Sequence, residues 1–523
     1  MTQKNKYDES PYESYPFPRT SPSYLRAIGI LFGMTPPEVR TARILELGCA
    51  GGGNILPLAI RNPNAQIVGI DLSEVQINDA NKHKKALNLS NIEFHHLSIM
   101  DINEDFGKFD YIICHGVYSW VPEPVREKIL EICKKNLSEN GIAYVSYNTL
   151  PGWNMVRSIR DMMMYHSENF NSPEEKVFQS RNLLNFIKES LEGDDGSYSK
   201  LLREEAETLS DQSDFYLLHD HLEETNNQFY FRDFVKFAEA NKLQYLSDVH
   251  LPTMFVENMP QKAIEKLKTV NNLIRIEQYM DFISNRRFRS SLLCHAGIKI
   301  ERAIQREVIK NLSLKMIIAP QIPLAKVDLK NTSETLLFYI NKQEEVNVTT
   351  SSMYLKAILY AFAEKLGSPM SFEEITTAAN EKIGGNGLKE IEEELLNVAL
   401  KFIFKGIMDI STESSVKRNP EIECPEATKL VRHQIANTSG SWVTTDMHEH
   451  LTISLFDKVA LEHMDGKTDR IVIRDEILKK IQKGELNIHK DGKALTSPEE
   501  IKKELTGLLN QTIEGLAISG ALS

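Results

Sequence analysis

Glu46-Leu47-Gly48-Cys49-Ala50-Gly51-Gly52-Gly53 is the stretch that decides the fold. The apolar pair Ile44-Leu45 leads into it, and the helix-like run Asn54 to Ile60 follows. The order is therefore strand, glycine-rich turn, helix. Glycine has no Cβ and tolerates positive φ, so a ligand can approach such a turn closely. The helix N-terminus behind the turn offers free N–H groups to a polar or anionic ligand. Glu46, two places before the first glycine, is unusual for a phosphate-binding loop.

Outward from the turn, short β-rich runs recur at Arg43–Leu47, Gln66–Ile70, Ile92–His95, Tyr111–Cys114 and Ile142–Ser146. Helical stretches such as Glu74 to Leu87 and Glu123 to Leu137 lie between them. Strands alternating with helices predict an α/β fold with a parallel, doubly wound sheet. Ligands of such sheets bind beyond the carboxyl ends of the strands, near the topological switch.

Two kinds of ligand commonly sit on a glycine turn after a first strand. Dinucleotide enzymes use G-x-G-x-x-G to hold a pyrophosphate; Gly48, Ala50 and Gly53 fit that spacing imperfectly. Enzymes that use S-adenosylmethionine place an acid before spaced glycines, facing an amino-acid tail. Glu46 can accept from the α-ammonium of that tail and would repel a pyrophosphate. Asp71, at the tip of the second strand, can accept from both ribose hydroxyls and fits either ligand. Asp101, after the third strand, can accept from the adenine amine while Met100 packs on the ring. Gly48, Cys49 and Gly51 of the turn, Leu72 beside Asp71, and His115 and Gly116 after the fourth strand complete the expected donor contacts. The run Cys114-His115-Gly116-Val117-Tyr118-Ser119-Trp120-Val121-Pro122 ends the fourth strand, where an acceptor would meet the donor. Tyr118 and Trp120 are expected to line an acceptor channel, aromatic faces suiting a cation. Asn148, after the fifth strand, is a candidate for the same wall. The bland alternative for Tyr118 and Trp120 is a pair of core aromatics.

The arm at residues 1–22 is rich in Tyr, Pro and Ser, and its prolines exclude a regular helix interior. Its aromatics favour a docked lid over a disordered tail, with Tyr7 and Tyr12 as candidates to close over the donor. Residues 151–225 read as helical and polar. Phe229 to Asn241 reads as an amphipathic helix, Leu243–Leu246 as a strand and Pro260 to Tyr279 as helical. Arg286, Arg287 and Arg289 read as a solvated basic face paired with Glu277 and Asp281. Residues 320–348 read as a linker. Residues 350–411 read as three helices with a β-rich end, a winged-helix-like layout, and helices at Ser454–Ile481 and Ser497–Ile518 follow.

The glycine motif, Asp71 and the His115–Pro122 segment resemble class I S-adenosylmethionine-dependent methyltransferases. Longer strings are more specific: Tyr7-Asp8-Glu9-Ser10-Pro11-Tyr12, Ser146-Tyr147-Asn148-Thr149-Leu150-Pro151-Gly152-Trp153, Phe229-Tyr230-Phe231 and Gln244-Tyr245-Leu246. With the C-terminal region they resemble the rickettsial protein-lysine methyltransferases that modify outer membrane protein B, over nearly the whole chain. The resemblance implies a Rossmann-like class I methyltransferase core with helical insertions and a winged-helix-like, mainly α C-terminal region. It implies an S-adenosylmethionine-binding core with an N-terminal lid at 1–150 and a helical, candidate dimerisation region at 151–225. The remainder of the core and a regulatory region then fall at 226–320, and the C-terminal region at 350–523. It also implies a homodimer and a protein-lysine acceptor, with outer membrane protein B as the expected substrate. Ala50 departs from the commonest pattern, which has glycine there.

Composition narrows the partners. The 523 residues carry a formal net charge of −12, which counts against a nucleic-acid partner needing basic surface and suits a lysine-rich acceptor. The five cysteines are scattered without metal-ligand spacing, so no metal is expected and a reducing, cytoplasmic setting is. The first thirty residues do not read as a signal peptide, and no apolar run is long enough for membrane insertion. The rival readings are a methyltransferase for a small molecule or RNA, and a non-catalytic scaffold with a vestigial donor domain.

Overall fold

The computed structural model describes residues 14–341, 343–413, 421–437, 440–490, 493–494 and 498–523. Its central sheet has seven strands: β1 (Arg43–Leu47), β2 (Gln66–Asp71), β3 (Ile92–His96), β4 (Phe109–Cys114), β5 (Leu137–Asn148), β6 (Leu243–Asp248) and β7 (Phe288–His295). They lie in the order β3-β2-β1-β4-β5-β7-β6. β1 to β5 pair in parallel with their neighbours, and β7 is antiparallel to both β5 and β6. Strands β1 and β4 are buried along most of their length, as strands covered by helices on both faces must be. The chain runs outward from β1 through β2 to β3, then returns to β4 on the other side of β1. The switch point therefore lies between the carboxyl ends of β1 and β4.

β7 was not expected from the sequence. Arg289 sits inside it and is fully buried, which corrects the reading of the arginine cluster as a solvated face. The expected partners are right: Nε and Nη2 of Arg289 each donate to Asp281 at 2.8 Å, and Nη1 donates to Glu277 at 3.0 Å. The guanidinium also lies 3.7 Å from the Phe231 ring centroid. Arg286 pairs with the buried Asp248 at 2.8 Å. A charged strand residue is thus accommodated because its carboxylate partners are carried by the neighbouring helix Leu273–Ser284.

Between β5 and β6 the chain inserts three long helices, Trp153–Ser167, Pro173–Ser190 and Ser197–Ser210, around a hydrophobic cluster of their own. The expected linker at 320–348 instead carries strands: β9 (Ile318–Pro320), β10 (Leu336–Ile340) and β11 (Gln343–Thr350) pair antiparallel, after a short β8 (Ser313–Lys315). Helices Met353–Glu364, Phe372–Lys382 and Leu388–Phe404 follow, with β12 (Met370–Ser371) and β13 (Asp409–Ser411) flanking β8. Their side chains belong to the same hydrophobic cluster as one face of the central sheet. The last segment, with helices Lys429–Asn437, Leu455–Glu462, Arg470–Gln482 and Pro498–Ser519, closes around a separate cluster. No helix among the described residues is long and apolar enough to cross a membrane.

Candidate functional site

β1 delivers Glu46 to the switch point and then turns sharply. Gly48 (φ 77°), Ala50 (φ 46°) and Gly52 (φ 80°) are all left-handed. At Gly48 this is a requirement of space as well, since a Cβ there would lie 2.6 Å from Val117 Cγ2. Ala50 holds a conformation that favours glycine and uses its N–H to donate to Asp71 Oδ2 at 2.9 Å. Asp71 Oδ1 accepts from the Ser73 N–H at 2.8 Å. Burial pushes the Asp71 carboxyl above its ordinary range. Leu72 beside it is 52% exposed.

Glu46 is buried. Its Oε1 accepts from Asn54 Nδ2 at 2.6 Å, and its Oε2 has no hydrogen-bond partner. Burial, reinforced by the Asp71 charge and opposed by the Asn54 hydrogen bond, raises its pKa to about 8. A buried carboxyl oxygen without a partner costs free energy until a donor arrives. An α-ammonium fits that requirement, and a phosphate does not.

Cys49 turns its side chain inward, against Gly69, and its N–H is bound to the Ile70 carbonyl at 2.9 Å. Its thiol therefore faces the core. Gly51 packs beside Gln76 and Ser14. Met100 and Asp101 lie on the exposed rim after β3, in the short turn Ile99–Asp101. Gly116 is exposed, left-handed and open, with its N–H donating to Ser146 Oγ at 2.9 Å. His115 places Nδ1 2.8 Å from the Tyr144 hydroxyl. Burial lowers its pKa to about 4, so it is neutral.

The arm crosses this mouth. Ser14 Oγ accepts from the Gly53 N–H at 2.7 Å, and a Cβ on Gly53 would overlap the Ser14 carbonyl. The Phe17 N–H donates to Asn54 Oδ1 at 2.8 Å, and its ring lies 3.9 Å from that of His115. Residues 14–17 are therefore docked where a lid would sit. Tyr7 and Tyr12 lie outside the described residues.

On the acceptor side the structure separates the two aromatics. Tyr118 is 2% exposed and packs among Tyr147, Phe229 and Phe234, so it belongs to the core and not to an open channel wall. Trp120 is half-buried, its ring 6.4 Å from that of Trp153. Asn148 is buried, and its Nδ2 donates to Asn226 Oδ1 at 3.0 Å. Asn226 also accepts from Gln228 Nε2 at 3.0 Å, and the Asn227 N–H donates to the Ser119 carbonyl at 2.8 Å. A strap at 226–229 thus lies across the end of β5.

Asn54, Ser14, Phe17 and Asn226 were missed by sequence reasoning. Asn54 carried a signal, a polar residue immediately after the glycine run. The others act through distant pairing and carried none. Among the described residues no His, Cys, Asp and Glu side chains converge to hold a metal.

Three family models match the chain: "Methyltransferase domain" at residues 39–203, "Predicted methyltransferase regulatory domain" at 213–295, and "PKMT, C-terminal winged helix domain" at 423–521. The winged-helix match thus falls C-terminal to the 350–411 layout read from the sequence. The uncharacterised protein RP789 of Rickettsia prowazekii is 50% identical over 510 residues, 98% of this chain and 92% of that protein. The structure of PKMT2 from Rickettsia typhi in complex with AdoHcy superposes with a TM-score of 0.91 at 39% identity, covering 98% of this chain and 100% of that one. A second structure of PKMT2 from Rickettsia typhi gives 0.88 at 38% identity, with the same coverage.

Proposed function

The chain belongs to the PKMT family of S-adenosylmethionine-dependent methyltransferases, and we propose that its acceptor is the lysine side chain of a protein, outer membrane protein B being the first candidate. The observation that carries this reading is the extent of the likeness to PKMT2. It covers the helical insertion and the C-terminal winged-helix domain as well as the catalytic core.

The residues present fit the donor. Glu46 Oε2 is the buried acceptor its α-ammonium needs, Asp71 is the candidate for the ribose hydroxyls, and Gly116, with open space at its Cβ position, leaves room at the sulfur end. Met100 and Asp101 stand at the adenine rim. The donor supplies an electrophilic methyl group on a sulfonium. The acceptor amine must reach it neutral, and at pH 7 deprotonating a lysine of pKa about 10.4 costs roughly 4.6 kcal/mol. A desolvated approach beside a positive charge lowers that cost. Burial lowers the His115 pKa to about 4, which makes its imidazole a weak base for this step. Trp120 offers an aromatic face to the amine, and Asn148 with its strap orders the wall beside it.

The protein acts in the cytoplasm as a homodimer. The helical insertion supports that assembly: Tyr165, Phe178, Phe186 and Tyr198 are between 56% and 76% exposed, and Phe178 and Phe186 lie eight residues apart on one helix, on the same face. The test is incubation with labelled donor and outer membrane protein B fragments, followed by mass spectrometry. Methylated lysines support the reading; label transferred only to RNA or small metabolites refutes it.

A further inference from the structure

The C-terminal winged-helix domain reaches the donor pocket through His448. His448 is 4% exposed, and its Nε2 lies 2.8 Å from Asn54 Oδ1. The proton position follows from the neighbours. Asn54 Oδ1 also accepts from the Phe17 N–H, and a backbone N–H can only donate, so the amide orientation is fixed. His448 Nε2 must then carry the proton toward that oxygen. Nδ1 is buried without a hydrogen-bond partner, and burial with the nearby Arg61 lowers the imidazole pKa to about 3. The ring is neutral.

The same fixed orientation aims Asn54 Nδ2 at Glu46 Oε1, at 2.6 Å, and at Thr20 Oγ1, at 3.0 Å. Asn54 is therefore a node. It joins the arm through Phe17 and Thr20, the glycine turn through Glu46 and the C-terminal domain through His448. The domain is seated around this node by further contacts. Arg61 Nη1 donates to the Asp446 carbonyl at 2.6 Å, and the Tyr15 ring lies 4.9 Å from Trp442 and 5.3 Å from His450. His83 meets His433 at 2.7 Å across the same boundary.

We infer that the winged-helix domain completes the donor site, His448 acting through Asn54 as the positioning residue that holds Glu46 for the donor's α-ammonium. The inference rests on the reading of Glu46 given above. Its consequence is reciprocal: if docking of the domain strengthens donor binding, donor binding strengthens docking by the same factor. A domain that also bears on acceptor recognition would then report on whether the donor is in place.

The test compares two ligands on the full-length protein by calorimetry. One is S-adenosylhomocysteine. The other is 5′-deoxyadenosine bearing a 3-carboxypropylthio group, which keeps the carboxylate and lacks the amine. The backbone at His448 is left-handed, with φ 62°, a conformation that asparagine tolerates well. His448→Asn therefore keeps the backbone and stops short of Asn54. His448→Gln restores a reaching N–H donor. His448→Asn should reduce the preference for the amine-bearing ligand about fivefold, a typical value for one buried hydrogen bond, with affinity for the amine-free ligand unchanged. His448→Gln should recover most of the preference. An unchanged preference, or equal weakening of both ligands, overturns the inference. Glu46→Gln is the control: if it leaves the preference intact, the reading of Glu46 fails instead. Should His448→Asn not fold, the wild-type protein with 15N-labelled histidines decides. The His448 Nε2 resonance, assigned with His448→Gln, should shift with S-adenosylhomocysteine and not with the amine-free ligand; no difference between them overturns the inference.

Discussion

Glu46 makes donor binding a proton-linked event. In the free protein its pKa stands at about 8, because burial removes water from the carboxylate and Asp71 adds a like charge. At pH 7 about nine-tenths of the molecules therefore carry a neutral Glu46, and ionising it to meet an α-ammonium costs about 1.4 kcal/mol. The cost vanishes above the free-state pKa and grows by tenfold in affinity for each unit below it. Between pH 6 and 7.5 the association constant for S-adenosylhomocysteine should rise about twentyfold, as the linkage relation requires. Calorimetry at pH 7 in two buffers of different ionisation enthalpy should count about 0.9 proton released per ligand bound. Glu46→Gln keeps the shape and one hydrogen bond but cannot ionise. Its affinity should fall roughly 10- to 100-fold at pH 7.5, the range for a hydrogen bond to a charged group. The two proteins should converge as the pH falls to 6, where the wild-type side chain is itself neutral. A wild-type affinity flat across this window, or a Glu46→Gln variant with the wild-type slope, would refute the argument. Asp71, also raised by burial, is present in both proteins and sets only the residual slope.

Arg289→Met should destabilise the protein by about 3–5 kcal/mol in urea unfolding, since it strands Glu277 and Asp281 as buried carboxylates without their cation. Docking of the C-terminal domain should weaken in acid. The docked-state pKa of His448, about 3, lies below its ordinary 6.5, so its contribution is whole above pH 6.5 and about 2 kcal/mol of it is gone at pH 5. His83 and His433, both also lowered by burial, act in the same direction. Small-angle scattering at pH 7.5 and 5 should show the molecule expand, and an unchanged radius of gyration would contradict the expectation. Trp120→Ala should cut turnover at least about tenfold through loss of acceptor alignment while leaving S-adenosylhomocysteine affinity unchanged. Phe186→Asp should give a monomer by light scattering, with donor affinity retained.

The legible part of this fold is the part governed by local pattern. β1 to β6 stood out because β-rich runs of four or five residues are bounded by turn-forming sequence, and the glycine turn with Glu46 announced its ligand class before any contact was known. β7 failed for a physical reason. Arg289 reads as surface because burying a guanidinium is costly, and only the pairing with Glu277 and Asp281 on a helix brought alongside makes the burial tolerable. The sheet at 318–350 was hidden by Pro320, Pro323 and the polar stretch before β10, although Leu336–Ile340 itself carries a strand signal. The winged-helix domain at 423–521 read as helices alone because its described strands, among them Trp442–Thr444 and His450–Thr452, are only two or three residues each. Tyr118 and Trp120 are indistinguishable by type and spacing. Which of them is core and which faces the site depends on Phe229 and Phe234, over a hundred positions away, filling the space beside Tyr118.

The donor site shows the same division more sharply. Its carboxylates Glu46 and Asp71 sit at strand ends, where alternation and turn chemistry place them, so they could be named as candidates from the sequence. The residues that set the properties of those carboxylates could not. Glu46 is raised to about 8 by burial, and its Oε1 is held by Asn54, which is itself bonded to Phe17, Thr20 and His448. His448 lies 394 positions from Asn54, and no periodicity links them. A domain distant in sequence can thus control affinity without contributing a ligand contact, by fixing the neighbour of a neighbour. It follows that a fragment ending before residue 423 should retain Glu46, Asp71 and the glycine turn yet lose the water exclusion at Glu46. The Glu46 pKa should then fall toward its ordinary 4.5, and the steep pH dependence of donor binding between pH 6 and 7.5 should flatten. A truncated protein that folds and keeps the full-length pH slope would show that the core alone sets the state of Glu46.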